Sequence, residues 1–372
     1  MKTLSQRVRS LKRTTRTDFL TYAGVVAAFL IVTALRDGGH LSRSLTGMLV
    51  PICCYIAMAV SLNLTVGILG ELSLGHAGFM SVGAFSGVIA AQSLQATIPS
   101  APLRLAVALV VGAIFAGAVG ALVGIPVLRL RGDYLAIVTL AFGEIIKELI
   151  NCLLVGYDSR GLHILINIKG NLSISDMHMG PEGFAIIKGA QGATGTSTIA
   201  SFNAGFILVL VTLVIVLNLV RSRAGRAIMA LRDNRIAAES VGINVTKYKM
   251  MAFTISAALA GAAGALYGLN YSNLAASKFD FNTSILVLLY VVLGGLGNIW
   301  GSVVAAAVLY ILPEALREFS DYRMLIYAII LILVMLITNN PLLTDFFGQL
   351  KKRLGFYLRG SRGVEKRGGT GK

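Results

Sequence analysis

Long apolar segments alternate with short polar ones along most of this chain. Ten apolar segments follow one another, and each approaches the length of about 20 residues that a helix needs to cross a bilayer. In chain order they are Phe19–Leu35, Leu45–Val66, Phe79–Ala96, Leu103–Leu128, Tyr134–Val155, Phe202–Val220, Met250–Leu269, Thr283–Leu296, Ile299–Leu312 and Arg323–Thr338. The pattern predicts an all-α polytopic membrane protein with about ten transmembrane helices. The sequence does not show the alternating strands of about ten residues that would indicate a β-barrel.

The composition supports this class. Charged residues make up 13% of the chain, against about 25% in soluble domains, and the mean hydropathy is +0.77. The net charge of +16 lies almost wholly at the two ends and in one middle segment. Membrane orientation and anionic lipid headgroups therefore explain it better than nucleic acid does. Cys53, Cys54 and Cys152 lie in apolar segments without zinc-like spacing, and we expect packing roles for them.

Basic residues predict which parts of the chain face the cytoplasm. Six Lys/Arg fall within residues 1–18 and eight within residues 341–372. Both termini are therefore expected in the cytoplasm, which requires an even number of spans. Ten spans give a transmembrane domain at residues 19–340, with residues 221–249 inside and a charge-balanced loop at residues 156–201 outside.

The first apolar segment has a second interpretation. A basic head, an apolar run and the small residues Val32-Thr33-Ala34 resemble a secretory signal with its cleavage site. Cleavage would leave nine spans and an external N-terminus. The charges of the remaining loops fit that arrangement less well.

Glycine is concentrated at two places that interrupt apolar segments. Of 41 glycines, the densest groups lie at Gly67–Gly78 and Gly294–Gly301, here called the first and second glycine breaks. Broken helices are tolerated in a membrane only where they face protein or a watery cavity, and they often mark a translocation path. Small residues also allow close helix packing, and that interpretation fits Gly83, Gly87 and Gly261 better. An even span count would permit two inverted five-helix halves, although the sequence shows no internal similarity.

Four segments of the chain resemble one known family. In chain order they are Leu62–Phe79, Leu128–Ile145, Gly225–Lys249 and Leu293–Gly301. Together they resemble the LivM-type permease subunit of bacterial branched-chain amino acid ABC importers, over about residues 45–340. The resemblance implies a multi-pass protein of the bacterial plasma (inner) membrane that moves these amino acids inward. Urea and short-amide importers use very similar permeases, and residues 157–163 depart from a Thr-Gly-Gly-rich motif common in the family, so those substrates stay open as alternatives.

The resemblance also implies partners. The chain has no Gly-x-x-x-x-Gly-Lys-Ser/Thr phosphate loop, and residues 368–372 have the wrong spacing for one. The resemblance implies that two separate ATPase subunits hydrolyse ATP. It also implies a second permease chain and an external solute-binding protein. We therefore expect a transporter subunit rather than an enzyme, with no catalytic residues and no cofactor of its own, ATP being used by the partners. The four histidines are scattered and predict no metal site: His40, His76, His163 and His178.

A short basic segment between the sixth and seventh spans is expected to contact the ATPases. It holds seven Lys/Arg against two acidic residues, which places it in the cytoplasm. Ile228, Leu231 and Ile236 recur at near-helical spacing and Gly242 suits a helix end, so we predict one short helix over Gly225–Ser240. This helix would dock in an ATPase groove or, alternatively, lie on the bilayer surface. The residues assigned to coupling are Gly225, Arg226, Arg232, Ala237, Ala238, Glu239 and Gly242.

The substrate path is expected to follow the glycine breaks. Its predicted lining consists of groups beside the breaks and one charged residue of the fifth span: Asn63, Gly70, Ser73, Gly75, His76, Glu144, Gly295 and Asn298. Glu144 would lie about 15 Å inside the bilayer, with Lys147 at i+3 placed to pair with it. Ionisable residues at that depth also suit an ion- or proton-driven carrier, which is the opposing hypothesis. Such a carrier would not need the basic segment 221–249.

Overall fold

The computed structural model describes residues 4–39, 42–130, 132–158, 161–167, 174–177, 180, 183–317 and 322–339. The chain divides into two compact units, residues 1–311 and residues 312–372. The first unit contains every feature described below as a candidate site. The described part of the second unit is helical over most of its length, and the predicted basic tail 341–372 lies outside the described residues.

Twelve α-helices occur in the described residues. They are α1 Leu4–Asp37, α2 Arg43–Asn63, α3 His76–Ser93, α4 Ala101–Val127, α5 Asp133–Asn151, α6 Phe202–Arg221, α7 Arg223–Asp233, α8 Arg235–Ser240, α9 Val245–Gly268, α10 Phe281–Gly294, α11 Ile299–Ala315 and α12 Arg323–Asn339. Each of the ten predicted spans falls on one of these helices. The two helices left over, α7 and α8, belong to the basic segment 221–249.

Four stretches among the described residues are long and apolar enough to cross a bilayer by length and composition. They are Arg43–Leu69, Ala101–Val127, Phe202–Arg221 and Val245–Gly268, and α10 and α11 are shorter apolar helices. This agrees with a polytopic helical protein. The first helix differs from its prediction, because α1 begins at Leu4 and so carries most of the basic segment 1–18 on the same continuous helix as the first span.

The fold is mostly α-helical, as predicted for a polytopic membrane protein, but it is not all-α, because the first unit also contains a five-stranded antiparallel sheet. Its strands are β1 Leu153–Asp158, β2 Gly161–Ile166, β3 Phe184–Lys188, β4 Ala193–Thr194 and β5 Asn273–Leu274, in the order β2-β1-β3-β4-β5. Most of the sheet comes from the predicted external loop 156–201. The apolar residues 153–155, predicted as the end of the fifth span, belong to β1, because α5 already ends at Asn151.

The centre of the first unit is a close contact of α3, α4 and α9. A methyl group placed on Gly83 of α3 would lie 2.1 Å from the carbonyl oxygen of Gly261 in α9. One placed on Gly264 would lie 1.9 Å from the carbonyl oxygen of Met80, so the two helix backbones touch along their length. Gly87 meets Ala265 in the same way, at 2.6 Å. The predicted packing role of Gly83 and Gly261 is confirmed.

The chain's single tryptophan packs on the first helix. A methyl group on Gly24 of α1 would lie 2.5 Å from the ring of Trp300, the second residue of α11. Phe29 of α1 stacks on Phe206 of α6, with ring centroids 3.9 Å apart. Aromatic contacts therefore hold α1 against both α6 and α11.

Candidate functional site

The first glycine break is a real interruption of the helix. α2 continues beyond Asn63 as a buried π-helical turn over Leu64–Leu69 and then stops. Gly70 has a φ of +80°, a left-handed conformation that glycine adopts without strain. The amide of Glu71 still bonds the carbonyl of Thr65, at 3.0 Å, and no helix resumes until His76. A π-turn that ends in open backbone leaves carbonyl groups that need other partners.

The second glycine break separates α10 from α11 over a shorter distance. Gly295 and Gly297 have φ values of +92° and +80°. The side-chain oxygen of Asn298 accepts a hydrogen bond from the Gly301 amide at 3.2 Å and so helps to start α11. Asn298 is exposed, whereas the residues of the first break are mostly buried.

The two breaks meet at one junction, organised by Asn63. Its buried side-chain oxygen accepts a hydrogen bond from the Gly297 amide at 2.8 Å, and its amide nitrogen donates to the Ser302 hydroxyl at 2.8 Å. Gly67 touches the same place, since a methyl group there would lie 2.2 Å from the Gly297 nitrogen. Segments 234 residues apart in sequence therefore share one buried amide side chain. The glycine pattern predicts both breaks, but nothing in the sequence predicts the contact between them.

His76 lies inside a packed and hydrogen-bonded interior. Only 2% of it is exposed, and its Nε2 lies 2.8 Å from the Ser61 hydroxyl. Ser61 donates its one hydrogen to the Met58 carbonyl at 2.8 Å, so His76 Nε2 carries a hydrogen and donates to Ser61. The His76 ring also meets the edge of Phe79. These contacts favour a packing role over a place in the path.

The non-helical part of the first break, between Leu69 and α3, rests on α5. A methyl group on Gly75 would lie 2.0 Å from the Thr139 carbonyl oxygen, and the Thr139 hydroxyl accepts from the Leu74 amide at 3.0 Å. Ser73 is 2% exposed, and its hydroxyl has no hydrogen-bond partner among the described residues. Ser73 thus offers a buried, unused hydroxyl group in this part of the predicted path.

Glu144 joins α5 to the start of α10. It pairs with Lys147, as predicted, and its other carboxylate oxygen accepts from the Phe281 amide at 3.2 Å. A carboxylate at a helix N-terminus is favourable because it satisfies a free amide and faces the positive end of the helix dipole. Asp280, in the loop before α10, caps the same helix through the Thr283 amide at 3.0 Å. Burial alone would raise the pKa of Asp280. The hydrogen bonds from Thr283 and the charge of Lys147 together have the larger effect, so the pKa lies below its usual value.

The basic segment forms two short helices rather than the single helix predicted. α7 ends at Asp233, and Asn234 is extended, with its side-chain oxygen accepting from the Ala237 amide at 3.0 Å to cap α8. Because Asn234 interrupts the helix, α7 and α8 do not share one apolar face. Ile228 is fully buried, whereas Ile236, predicted on the same face, is 80% exposed. An asparagine before a helical run is a recognised start signal, and it could have indicated the break.

The predicted helix stop at Gly242 is confirmed. Its φ is +83°, its amide donates to the Glu239 carbonyl at 3.0 Å, and the Ile243 amide donates to the Ala238 carbonyl at 3.0 Å. This pair of bonds is the Schellman motif. Ile243 then packs on a small apolar cluster that includes Ala238 and Leu231.

The predicted coupling residues divide by burial. Gly225 and Ala238 are buried inside the segment, whereas the others are exposed: Arg226, Arg232, Ala237, Glu239 and Gly242. Arg226 donates to the Arg221 carbonyl at 3.1 Å. Gly225 packs so tightly against the end of α6 that a methyl group there would lie 2.2 Å from the Leu219 carbonyl oxygen. The exposed members are the ones available to another protein.

Two side chains from this segment reach the first glycine break. Arg232 Nη1 donates to the Gly67 carbonyl at 2.7 Å. Lys249, at the start of α9, forms an ion pair with Glu71, and only 6% and 18% of the two side chains are exposed. The sequence had marked Arg232 for coupling but gave no sign of its partner, and it had missed the Lys249–Glu71 pair.

The described residues contain no cluster of three or more His, Cys, Asp or Glu side chains that could hold a metal ion. His163 pairs with the buried Asp158 at 3.1 Å, while His40 and His178 lie outside the described residues.

Comparison with known proteins assigns most of the chain to one family. Residues 44–336 match the family model described as branched-chain amino acid transport system / permease component. The chain is 34% identical over 332 residues to the high-affinity branched-chain amino acid transport system permease protein LivM of Salmonella typhimurium, covering 88% of this chain and 76% of that protein. LivM of Escherichia coli is 34% identical over 330 residues, with the same two shares.

A more distant relative covers the chain in a similar way. The permease protein BraD of Pseudomonas aeruginosa, named for the same transport system, is 26% identical over 297 residues, 78% of this chain and 91% of that protein. No solved structure matches the chain. The range matched by the family model contains both glycine breaks and the whole basic segment 221–249.

Proposed function

Because this chain belongs to the family of permease components of branched-chain amino acid transport systems, we propose that it is the membrane-spanning permease subunit of an ATP-driven importer. Its cargo is leucine, isoleucine and valine, moved inward across a bacterial plasma membrane. The family match over residues 44–336 carries this proposal. The structure supports it with a bundle of apolar helices whose breaks contact a short basic segment.

The proposed topology has ten spans and both termini in the cytoplasm. The spans are α1 to α6 and α9 to α12. The basic residues of the segment 221–249 favour the cytoplasmic side, which puts the sheet outside. There the sheet would face an external solute-binding protein. An even span count also permits two inverted five-helix halves.

The energy for transport is proposed to come from two ATPase subunits that work with this chain and a second permease. The sequence has no phosphate loop of its own. The part of the segment offered to an ATPase is α8 and the turn after it. Ile236 and Val241 are 80% and 75% exposed there, beside the exposed Ala237 and Glu239. Exposed apolar side chains of this kind suit a contact with another protein or with the bilayer surface, and we propose an ATPase as the partner.

The substrate path is proposed to pass beside the junction of the two breaks. Ser73 supplies a buried hydroxyl without a partner among the described residues, and Gly295 and Asn298 lie on the more open side of the junction. The charged groups nearest the junction, Arg232 and the Lys249–Glu71 pair, already have partners, so the path suits a zwitterion with an apolar side chain better than a polyvalent ion. His76 and Glu144 have partners of their own, so we assign them structural roles.

Urea or short amides are the second candidate class of substrate. The wall of the path does not by itself separate them from branched-chain amino acids, because a solute-binding protein would make the main selection.

The test uses the complete complex, with ATPases, second permease and binding protein, reconstituted in vesicles. We expect uptake of radiolabelled leucine that requires ATP and continues after an ionophore has collapsed the ion gradients. Strong uptake of urea without uptake of leucine would reverse the order of substrates. Uptake driven by a proton gradient without ATP would support the carrier hypothesis and reject ours.

A second arm of this test addresses the proposed ATPase contact. Ile236→Asp places a charge on the exposed apolar surface and should reduce both copurification of the ATPases and leucine uptake. Thr246→Asp, at an exposed position in the first turn of α9, is the matched control. If Ile236→Asp leaves the ATPases bound and uptake intact, the segment does not dock there, and the bilayer-surface alternative gains support.

A further inference from the structure

Arg232 and Lys249 both extend from the basic segment and end on the first glycine break. They approach it at different points, Arg232 at the Gly67 carbonyl and Lys249 at the Glu71 carboxylate. The partners are 165 and 178 residues away in sequence. Two polar links therefore join α7 and the N-terminal part of α9 to the same short piece of backbone.

The first link depends on how the helix ends. The last carbonyl groups of a helix have no amide partner within it. Because the π-helical turn stops at Leu69, the Gly67 carbonyl needs an outside donor, and Arg232 supplies it at 2.7 Å. The stem of Arg232 also lies against Gly70, where a methyl group would come within 2.6 Å of its Cγ. The left-handed glycine thus leaves room for the arginine to pass.

The second link is a buried ion pair. Lys249 is 6% and Glu71 18% exposed at the side chain. Removing one partner of such a pair leaves an uncompensated charge in a poorly solvated place, so each charge restrains the position of the other. Lys247, two residues earlier on the same helix, is exposed. Lys249 therefore differs from Lys247 because it pairs with Glu71, and not because of where it lies along the chain.

The contacts continue from the first break to the second. Arg232 Nη1 lies 3.4 Å from the position of a methyl group on Gly297, and Gly297 is the residue whose amide bonds Asn63. A displacement of Gly67 must therefore affect Gly297 as well. The two breaks therefore pack against each other, and Arg232 bonds the first of them close to where they meet.

We propose that Arg232, on α7, and Lys249, near the start of α9, are positioning residues that transmit movement of α7 and α8 to the junction of the two glycine breaks. The start of α9 can follow that movement because Val245 packs with Leu231 of α7 and Ala238 of α8. Arg232 then acts on the membrane side of the segment, in place of the direct ATPase contact that its sequence position had suggested. The inference rests on the proposed function, because it takes the moving element to be an ATPase contact. Breaking the links should separate hydrolysis of ATP from uptake.

The experiment compares ATP hydrolysis and leucine uptake in the same vesicles containing the complete complex. Arg232→Met removes the donors but keeps a long apolar side chain. Glu71→Met combined with Lys249→Met removes the ion pair without leaving an unpaired buried charge. In each we expect uptake per ATP hydrolysed to fall by about fivefold or more, the lower end of usual coupling between sites. The thermal midpoint and subunit composition of the purified complex should stay close to those of the wild type.

Matched controls separate these links from a general effect of lost positive charge. Arg223→Met and Lys247→Met remove exposed basic residues from the same two helices and should leave uptake per ATP unchanged. Arg232→Lys keeps a donor and should retain part of the coupling.

The outcomes distinguish this proposal from the one it rests on. A wild-type complex without ATP-dependent uptake of leucine would contradict the proposed function before any variant is compared. A working wild type, with unchanged uptake per ATP in both Arg232→Met and the double methionine variant, would overturn the positioning role. Loss of assembly in both variants would overturn it as well, because the links would then be structural.

Discussion

Glycine is required for one physical reason where α3 contacts α9 and for another at the two glycine breaks. At Gly83 and Gly264 the backbone is ordinary helix, and the constraint is distance, because the neighbouring backbone lies where a side chain would begin. At Gly70 and Gly295 the space is less crowded, and the constraint is torsion, because φ is positive. A distance constraint concerns the folded bundle as a whole. A torsion constraint concerns one turn of backbone, and that turn can belong to a moving part.

The largest effect is expected where distance is the constraint. Gly83→Val would place its first carbon 2.1 Å from the Gly261 carbonyl oxygen and 2.3 Å from the Gly261 Cα. Neither helix backbone can move aside without separating α3 from α9. We therefore expect the free energy of unfolding to fall by more than about 3 kcal/mol, the upper range for overpacking. Size-exclusion chromatography and thermal unfolding in detergent measure this. Gly47→Val, at an exposed helical glycine with nothing within 4 Å, is the control, and a Gly83→Val protein as stable as that control would contradict the distance argument.

An intermediate effect is expected where torsion is the constraint. Gly70→Ala should lower stability by about 1–2 kcal/mol, the cost of a left-handed conformation for a residue with a Cβ, and should also displace the Arg232 side chain. Gly195→Ala is the matched control, since its φ is +72° and nothing lies within 4 Å. Thermal midpoints should fall by similar amounts in both, whereas leucine uptake should fall only in Gly70→Ala. Equal uptake in the two variants would show that the contact with Arg232 does not matter.

The smallest effect, and of opposite sign, is expected where neither constraint operates. Gly47 lies inside α2 with helical backbone and open space around it. Gly47→Ala should therefore stabilise the protein by about 0.5–1 kcal/mol, because alanine loses less conformational freedom in a helix. Thermal unfolding of the purified subunit provides the measurement. A clear decrease in its midpoint would reveal a third constraint at this position.

The helices and the breaks were predictable from local pattern. Every apolar segment that was predicted as a span contains a helix in the structure. The small residues Gly83 and Gly261 were correctly assigned to helix packing. Glycine density located both breaks. Gly242 was recognised as a stop because a left-handed helix end has a strong residue preference. Each of these features depends on residues close to one another in sequence.

The sheet and the junction were not predictable, because they depend on distant pairing. β4 has two residues and pairs with β5, Ala193 opposite Leu274, although the two strands are separated by 78 residues. No local alternation could reveal a strand that short. β2 alternates in exposure along Gly161–Ile166 in the structure, but its residues after His163 are all apolar, so no alternation of polar and apolar residues indicated the strand. The partners of Asn63, Arg232 and Lys249 were hidden for the same reason, because single-sequence patterns carry no information on which loops meet.

The position of Trp300 gives the protein an internal spectroscopic probe. It is the only tryptophan of the chain, it lies inside the second break as the second residue of α11, and its ring rests on Gly24 while 41% of the residue remains exposed. Indole emission depends on the polarity around the ring, so a change in the angle between α10 and α11 would alter the emission wavelength without any attached dye. Paired with partner subunits whose tryptophans have been replaced by phenylalanine, this chain would report the rearrangement of its own junction in real time, during single turnovers.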